Sequence, residues 1–192
     1  MPGTDGYLKI KDRTFAVADA YVCGYVNAQN GLSWSVNITC EHQDFDGETW
    51  SPSAYLESVP WDVRCVEDFK NTPIIIPDGE KFGDGSILPD SVLCCLYVFE
   101  HEFLRESHTF LQKIAKNQFR IRWTATCDVF FDDEYNVDLP LQIDTTAVFL
   151  GLSIRERDES KARSHLARSF DDSELVFDPT PEYDVATFTF RE

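Results

Sequence analysis

The sequence is short of positive charge, and the shortage is concentrated in its first half. Of the 192 residues, 17 are lysine or arginine and 34 are aspartate or glutamate, which gives a formal net charge of −17. Neither lysine nor arginine occurs between Thr14 and Val63. Because binding to a phosphate backbone requires clustered basic side chains, this composition argues against a nucleic-acid ligand.

Long hydrophobic runs are also missing. The longest apolar stretches, at 92–99 and 146–154, are far shorter than the roughly 20 residues of a transmembrane helix. The first residues contain neither the basic nor the apolar segment of a signal peptide. These absences predict a cytoplasmic protein that does not enter a membrane.

The cysteine pattern contains no C-x-x-C pair. Five of the six cysteines lie in strand-like apolar runs, where a thiol serves as a small core residue. Cytosolic proteins keep their thiols reduced. We therefore expect free thiols rather than disulfides.

The motifs of common enzyme classes are absent as well. The sequence contains no G-x-G-x-x-G, no G-x-x-x-x-G-K-[ST] and no G-x-S-x-G. His101 and Glu102 begin like a zinc-protease motif, but Arg105 stands where the second histidine must fall. The sequence therefore predicts no cofactor and no metal, and it favours a non-catalytic role over an enzymatic one.

The residues that are present favour strands. Alternation of apolar and polar residues is clearest over 32–40 and 119–131, and shorter apolar runs occur at 92–103, 146–154 and 185–190. Residues 155–170 are the best helix candidate, because Ala162, Leu166 and Phe170 recur at a spacing of four. The pattern predicts a mainly β, antiparallel, sandwich or barrel-like single domain over 1–192, with seven to nine strands and one or two short helices.

Residues 41–90 interrupt this alternation. Three Asp-Gly pairs and five prolines punctuate the stretch, and only 74–76 reads as a buried strand. It holds twelve acidic residues and three basic ones. We predict a long irregular loop region here, and such loops tend to carry function.

Aromatic residues are interspersed among the acids of this region. Aromatic side chains ringed by charge are typical of interfaces, and acidic surfaces steer basic partners toward themselves. A simpler interpretation is that the acids serve solubility and the aromatics pack beneath their own loop. The interface hypothesis predicts the following partner-binding residues: Asp44, Phe45, Asp46, Glu48, Trp50, Tyr55, Glu57, Trp61 and Asp62.

Two functional hypotheses compete on this basis. The first is a non-catalytic acidic protein-binding module, of the immunity or inhibitor type, that covers a basic partner such as a toxin nuclease. The second is a carbohydrate-binding or carbohydrate-active β-domain. In that second case Glu100 and Glu102, about 7 Å apart on one side of a strand, would act as paired carboxylates. A metal site that uses His101 and His108 is a weaker alternative, because His101 projects to the opposite side of the strand from both glutamates.

Overall fold

The computed structural model describes residues 6–27, 31–45, 47–65, 68–69, 74–76, 93–129, 137–178 and 185–190. Within these residues the chain forms fourteen strands and one α-helix. They are β1 Tyr7–Ile10, β2 Arg13–Asn27, β3 Gly31–Cys40, β4 Gln43–Phe45, β5 Glu48–Trp50, β6 Ser53–Val59, β7 Ile74–Ile76, β8 Leu93–Tyr97, β9 His101–Phe103, β10 Arg105–Ala115, β11 Gln118–Cys127, β12 Leu139–Ile154, α1 Glu159–Leu166, β13 Leu175–Asp178 and β14 Ala186–Phe190.

Twelve of the strands form one sheet. Its order is β7-β10-β11-β12-β1-β2-β3-β6-β8-β9, and β14 joins β13 to β12. The pairs are antiparallel except for β12 with β2, while β4 and β5 form a separate hairpin. The mainly β, antiparallel prediction is confirmed, in its sandwich-like form rather than as a closed barrel. The strands exceed the expected number because several have only three to five residues.

The longest strand, β12, has neighbours that change along its length. Its first half pairs with β11 and with the short strand β1. Beyond the end of β1 its second half pairs directly with β2 and then β14, and a bulge occurs at Gly151. A bulge bends its strand and increases the local twist, so β12 can take part in two differently directed portions of the sheet.

The sheet encloses one hydrophobic core between its two halves. On β3 every second residue, from Leu32 to Cys40, is buried, as the alternation predicts. Phe69 links the halves, because its ring packs against Trp34 of β3 at 4.9 Å and against Phe119 of β11 at 4.8 Å between centroids. All six cysteines are free. We call the side of the sheet toward this core the inner side, and the opposite side the outer side.

Part of the predicted irregular region 41–90 forms regular strands. Residues 43–45, 48–50 and 53–59 form β4, β5 and β6. The reason is long-range pairing, since β6 lies between β3 and β8 and takes its hydrogen-bond partners from both. Prolines and Asp-Gly turns report local geometry and carry no information about such partners. The predicted strand at 74–76 is present as β7.

The helix is shorter than the predicted 155–170. It begins after Asp158, whose carboxylate accepts the backbone N–H of Lys161 at 2.9 Å. Such a side-chain cap satisfies one of the N–H groups that a first turn leaves without a partner. Ala162 and Leu166 face the core, and Phe170 is buried just beyond the helix, so the apolar spacing identified the correct residues.

Candidate partner-binding surface

Five strands bring a row of aromatic and polar side chains together on the outer side of the sheet. Along the row, each residue lies directly opposite the next one on the neighbouring strand: Tyr21, Asn37, Tyr55, Cys95 and Phe103. Directly opposed residues of antiparallel strands project to the same side. Phe103 ends the row with 62% of its surface exposed. We call the outer side of β2, β3, β6, β8 and β9 the aromatic-acidic face.

A second row runs beside the first. It contains Asp19, Thr39, Ser53, Tyr97 and His101 in directly opposed positions. The Ser53 hydroxyl lies 2.6 Å from the Tyr55 hydroxyl, and the Tyr97 and His101 rings are 4.8 Å apart. The Ser53–Tyr55 contact connects the two rows, and the Tyr97–His101 contact holds two neighbouring rings of the second row together.

The electrostatic character of the face is negative. Strands β3, β6, β8 and β9 contain neither lysine nor arginine. Glu57 is exposed on β6. Burial, reinforced by the charge of Glu57, raises the pKa of Cys95 to about 11 and raises that of Cys23. The pKa of Tyr21 is raised by burial first and by its charged neighbours second. The thiols of the face therefore remain protonated at neutral pH, and its negative charge comes from carboxylates.

The β4–β5 hairpin contributes to an aromatic cluster beside this face. Its turn is held by the Asp44 carboxylate, which accepts the N–H of Gly47 at 2.8 Å. Trp50, at the end of the hairpin, packs against Tyr97 at 5.9 Å and Phe99 at 5.0 Å between centroids. The Trp50 indole N–H donates to Glu48 Oε2 at 3.3 Å. We call Glu48, Trp50, Tyr97 and Phe99 the Trp50 cluster.

The predicted partner-binding residues therefore fall into two places. Five of them lie on the hairpin and β6, in or beside the aromatic-acidic face: Asp44, Glu48, Trp50, Tyr55 and Glu57. Phe45 closes β4 opposite Glu48, and its side chain, like the whole of Asp46, lies outside the described residues.

Trp61 and Asp62 lie elsewhere. Trp61 is only 7% exposed and packs in the core against Trp34 and Phe69, so its ring is not on a contact surface. Here the simpler interpretation, an aromatic residue packed beneath its own loop, describes the structure. Asp62 is exposed and pairs with Arg64 at 3.1 Å. Both residues line a groove of about 780 Å³ whose other wall is residues 167–172.

Several residues of the face were missed by the sequence analysis. Asn37 lies on the polar side of the clearest strand, where alternation could have placed it on an outer surface. Tyr97, Phe99 and Phe103 belong to an apolar run that predicts burial on both sides. They reach the surface because β8 and β9 form a short hairpin at the end of the sheet, which no local pattern shows.

The carboxylates Glu100 and Glu102 line one small pocket of about 160 Å³ together with Asp128. Burial, followed by the charges of Asp128 and Glu100, raises the pKa of Glu102. The Arg105 guanidinium donates to both oxygens of Asp128, at 2.9 and 2.6 Å, and this holds the pKa of Asp128 below its usual range. The pocket therefore places a glutamate with a raised pKa beside an aspartate with a lowered pKa.

Metal binding finds no support in the part of the chain that the structure describes. There, no group of three or more histidine, cysteine, aspartate or glutamate side chains could hold a metal ion. His101 contacts Tyr97, while Glu100 and Glu102 line the pocket beside Asp128.

The one helix among the described residues has eight residues, and no helix there is long and apolar enough to cross a membrane. Comparisons with protein-family models, curated proteins and solved structures gave no match for this chain.

Proposed function

We propose that this protein is a non-catalytic binding module that engages a basic protein through its aromatic-acidic face. One observation carries the proposal: Trp50, Tyr55 and Glu57 lie on or beside a sheet surface whose strands β3, β6, β8 and β9 contain neither lysine nor arginine. Tyrosine and tryptophan dominate the energetics of many interfaces, while charge complementarity sets the rate and specificity of association.

The rigidity of this surface also favours binding. Hydrogen-bonded strands support its side chains, and the Ser53–Tyr55 contact and the packing of Trp50 on Tyr97 restrict their conformations. Side chains that are already ordered lose less entropy on association. A partner with a complementary basic surface would thus meet aromatic anchors that need little rearrangement.

The net charge of −17 supports the more specific form of this proposal, an immunity or inhibitor-type protein that covers a basic toxin nuclease. A strongly acidic protein accelerates its encounter with a basic partner, and the acceleration falls as salt screens the charges.

The experiment compares three forms of the protein as bait in the organism that encodes it. They are the wild type, a Tyr55→Ala/Glu57→Lys variant of the face, and an Asp178→Lys variant, which carries the same charge reversal at an exposed position of β13. A basic protein held by the wild type and by Asp178→Lys, but lost by the face variant, supports the proposal. Its purified form should associate more slowly as salt rises. Equal retention by the face variant, or an association rate insensitive to salt, would contradict it.

Carbohydrate binding is the second candidate function. Two observations favour it: the rings of Trp50 and Tyr97 are fixed together at the surface, and Glu100 and Glu102 share one pocket. A glycan array probed with the wild type and a Glu100→Gln/Glu102→Gln variant tests it. Binding of one glycan class that Trp50→Ala abolishes would establish this function, and an array without signal would remove it.

A further inference from the structure

We infer that the Trp50 cluster receives an arginine side chain of the basic partner. This inference rests on the proposed function and specifies where the contact is made. Three aromatic rings and one carboxylate meet here, at the junction of the β4–β5 hairpin and the β8–β9 end of the sheet.

The ring geometry suits a cation. Trp50 stands at 75° to Phe99 and at 62° to Tyr97, so the three rings form a corner rather than a parallel stack. The faces of aromatic rings carry partial negative charge and attract cations, and tryptophan does so most strongly. Aromatic side chains set at steep angles are the arrangement by which proteins surround cationic groups.

The position of Glu48 favours arginine over lysine. One Glu48 oxygen accepts the Trp50 indole N–H, so the carboxylate lies at the edge of the ring on which a cation would stack. A planar guanidinium can stack on an aromatic face while the N–H groups at its edge donate to a neighbouring carboxylate. An ammonium group lacks that geometry and holds its hydration water more strongly.

The surrounding charge and packing reinforce the site. The flanking segments 14–63 and 93–104 contain no lysine or arginine that would compete for the cluster. Trp50 and Phe99 also pack against the hydrophobic core, which partly removes them from water. Partial desolvation strengthens a cation–π contact relative to one that is fully exposed.

Trp50 provides its own spectroscopic probe. Of the four tryptophans, Trp34, Trp61 and Trp123 are buried, with 1%, 7% and 0% of their surfaces exposed, and Trp50 alone is partly exposed. The indole N–H signals in a ¹⁵N-edited NMR spectrum therefore separate a contact at the cluster from effects elsewhere. The Trp50→Phe variant assigns the signal.

The test titrates the labelled full chain with a nine-residue arginine peptide and with a lysine peptide of the same length. We expect the Trp50 signal to shift with the arginine peptide while the three buried indole signals stay in place. We also expect the arginine peptide to bind more tightly than the lysine peptide. Trp50→Ala should weaken arginine-peptide binding by about fivefold or more, and Trp50→Phe by less, because it keeps a ring.

Two carboxylate variants serve as matched controls. Glu48→Gln should weaken arginine-peptide binding more than Glu57→Gln does, since both remove one charge from the same side of the molecule and only Glu48 belongs to the cluster. Equal losses would mean that the peptide senses overall charge. That result would overturn the arginine site while leaving the proposed basic partner in place.

Three further results would overturn the inference. Two of them are a Trp50 indole signal that does not shift with the arginine peptide and equal affinity for the arginine and lysine peptides. The third is light scattering that shows a wild-type dimer and a monomeric Trp50→Ala variant, because a second copy would then occupy the cluster. If Trp50→Ala does not fold, Trp50→Phe and Glu48→Gln still test the site.

Discussion

Trp123 donates its indole N–H to the hydroxyl of Ser107 at 2.8 Å, and both residues are entirely buried. The same hydroxyl lies 3.4 Å from the thiol of Cys94 on β8. Ser107 on β10 and Trp123 on β11 lie near one end of the sheet, and Cys94 on β8 lies near the other. The Ser107 hydroxyl therefore connects strands from opposite ends of the sheet. The core therefore depends on a polar contact as well as on apolar packing.

Removing this hydroxyl should destabilise the protein. Ser107→Ala leaves the buried indole N–H of Trp123 without its acceptor, which costs about 1–3 kcal/mol in the free energy of unfolding. Denaturation by urea, followed by circular dichroism, measures the loss. Ser164→Ala, on the exposed side of α1, should change stability by less than about 0.5 kcal/mol. Equal effects of the two substitutions would mean that the Ser107 contact contributes nothing specific.

Gly151 should tolerate no side chain. Its φ of 117° is a conformation that residues with a Cβ rarely adopt, and an added Cβ would lie 2.6 Å from the carbonyl oxygen of Phe188. Backbone strain and the clash together predict that Gly151→Ala costs about 2–5 kcal/mol. Thermal unfolding measures the effect.

Substitution of a second glycine, Gly47, measures the cost of backbone strain without a steric clash. Gly47 also has a positive φ, of 85°, but an added Cβ would meet nothing within 4 Å. Gly47→Ala should therefore lower the free energy of unfolding by only about 1–2 kcal/mol, the cost of a positive φ for a residue with a Cβ. If Gly47→Ala proved as damaging as Gly151→Ala, close packing between β12 and β14 would not explain the requirement for glycine.

The Arg105–Asp128 ion pair should make stability depend on pH in the acid range. Hydrogen bonds from Arg105 lower the pKa of Asp128 in the folded state. The ion pair therefore stabilises the folded protein fully above the ordinary aspartate pKa of about 3.9. This stabilisation is lost as pH falls through the lower pKa of the folded state. Asp128→Asn should thus be less stable than the wild type at pH 7, and the difference should shrink below about pH 4.

An exposed pair is the control for this pH dependence. Asp62 binds Arg64 with both side chains about four-fifths exposed, and exposed pairs contribute little to stability. Asp62→Asn should leave the unfolding curve almost unchanged at both pH values. A difference between Asp128→Asn and the wild type that stays constant from pH 7 to pH 3 would argue against the ionic origin.

Thiol reactivity should follow burial. Cys65 is partly exposed, while burial raises the pKa of Cys40, Cys94 and Cys127 to about 12. Because the thiolate is the reactive form, iodoacetamide at pH 8 should label Cys65 first and these three only after unfolding. Peptide mapping by mass spectrometry gives the order. Early labelling of Cys94 or Cys127 would show that the core opens locally.

Much of the local architecture is predictable from the chain alone. The alternation over 32–40 identifies β3 and its buried side, and that over 119–127 does the same for β11. Successive residues of a strand project to opposite sides of the sheet, so the polarity pattern alone indicates which residues face the core. On α1 the spacing of four places Ala162 and Leu166 on one side of the helix, and both face the core.

The candidate surface was only half predictable. The aromatic and acidic composition of 41–62 pointed to Trp50, Tyr55 and Glu57, because charged residues in a sequence indicate a solvent-exposed segment. It also pointed to Trp61, which is buried. A loop tryptophan has the same composition whether it faces solvent or packs against Phe69, so sequence reasoning could not separate the two cases.

Polarity and composition alone indicate the strand sides, the mainly antiparallel β class and the absence of lysine and arginine from 14–63. Which strands are neighbours depends on the tertiary fold. Register places Tyr55 opposite Cys95, and packing brings Trp50 against Phe99 at the end of the sheet. These relationships depend on backbone hydrogen bonds and ring contacts between residues far apart in the chain. Such contacts are selected by the energy of the whole fold, and local sequence patterns do not record them.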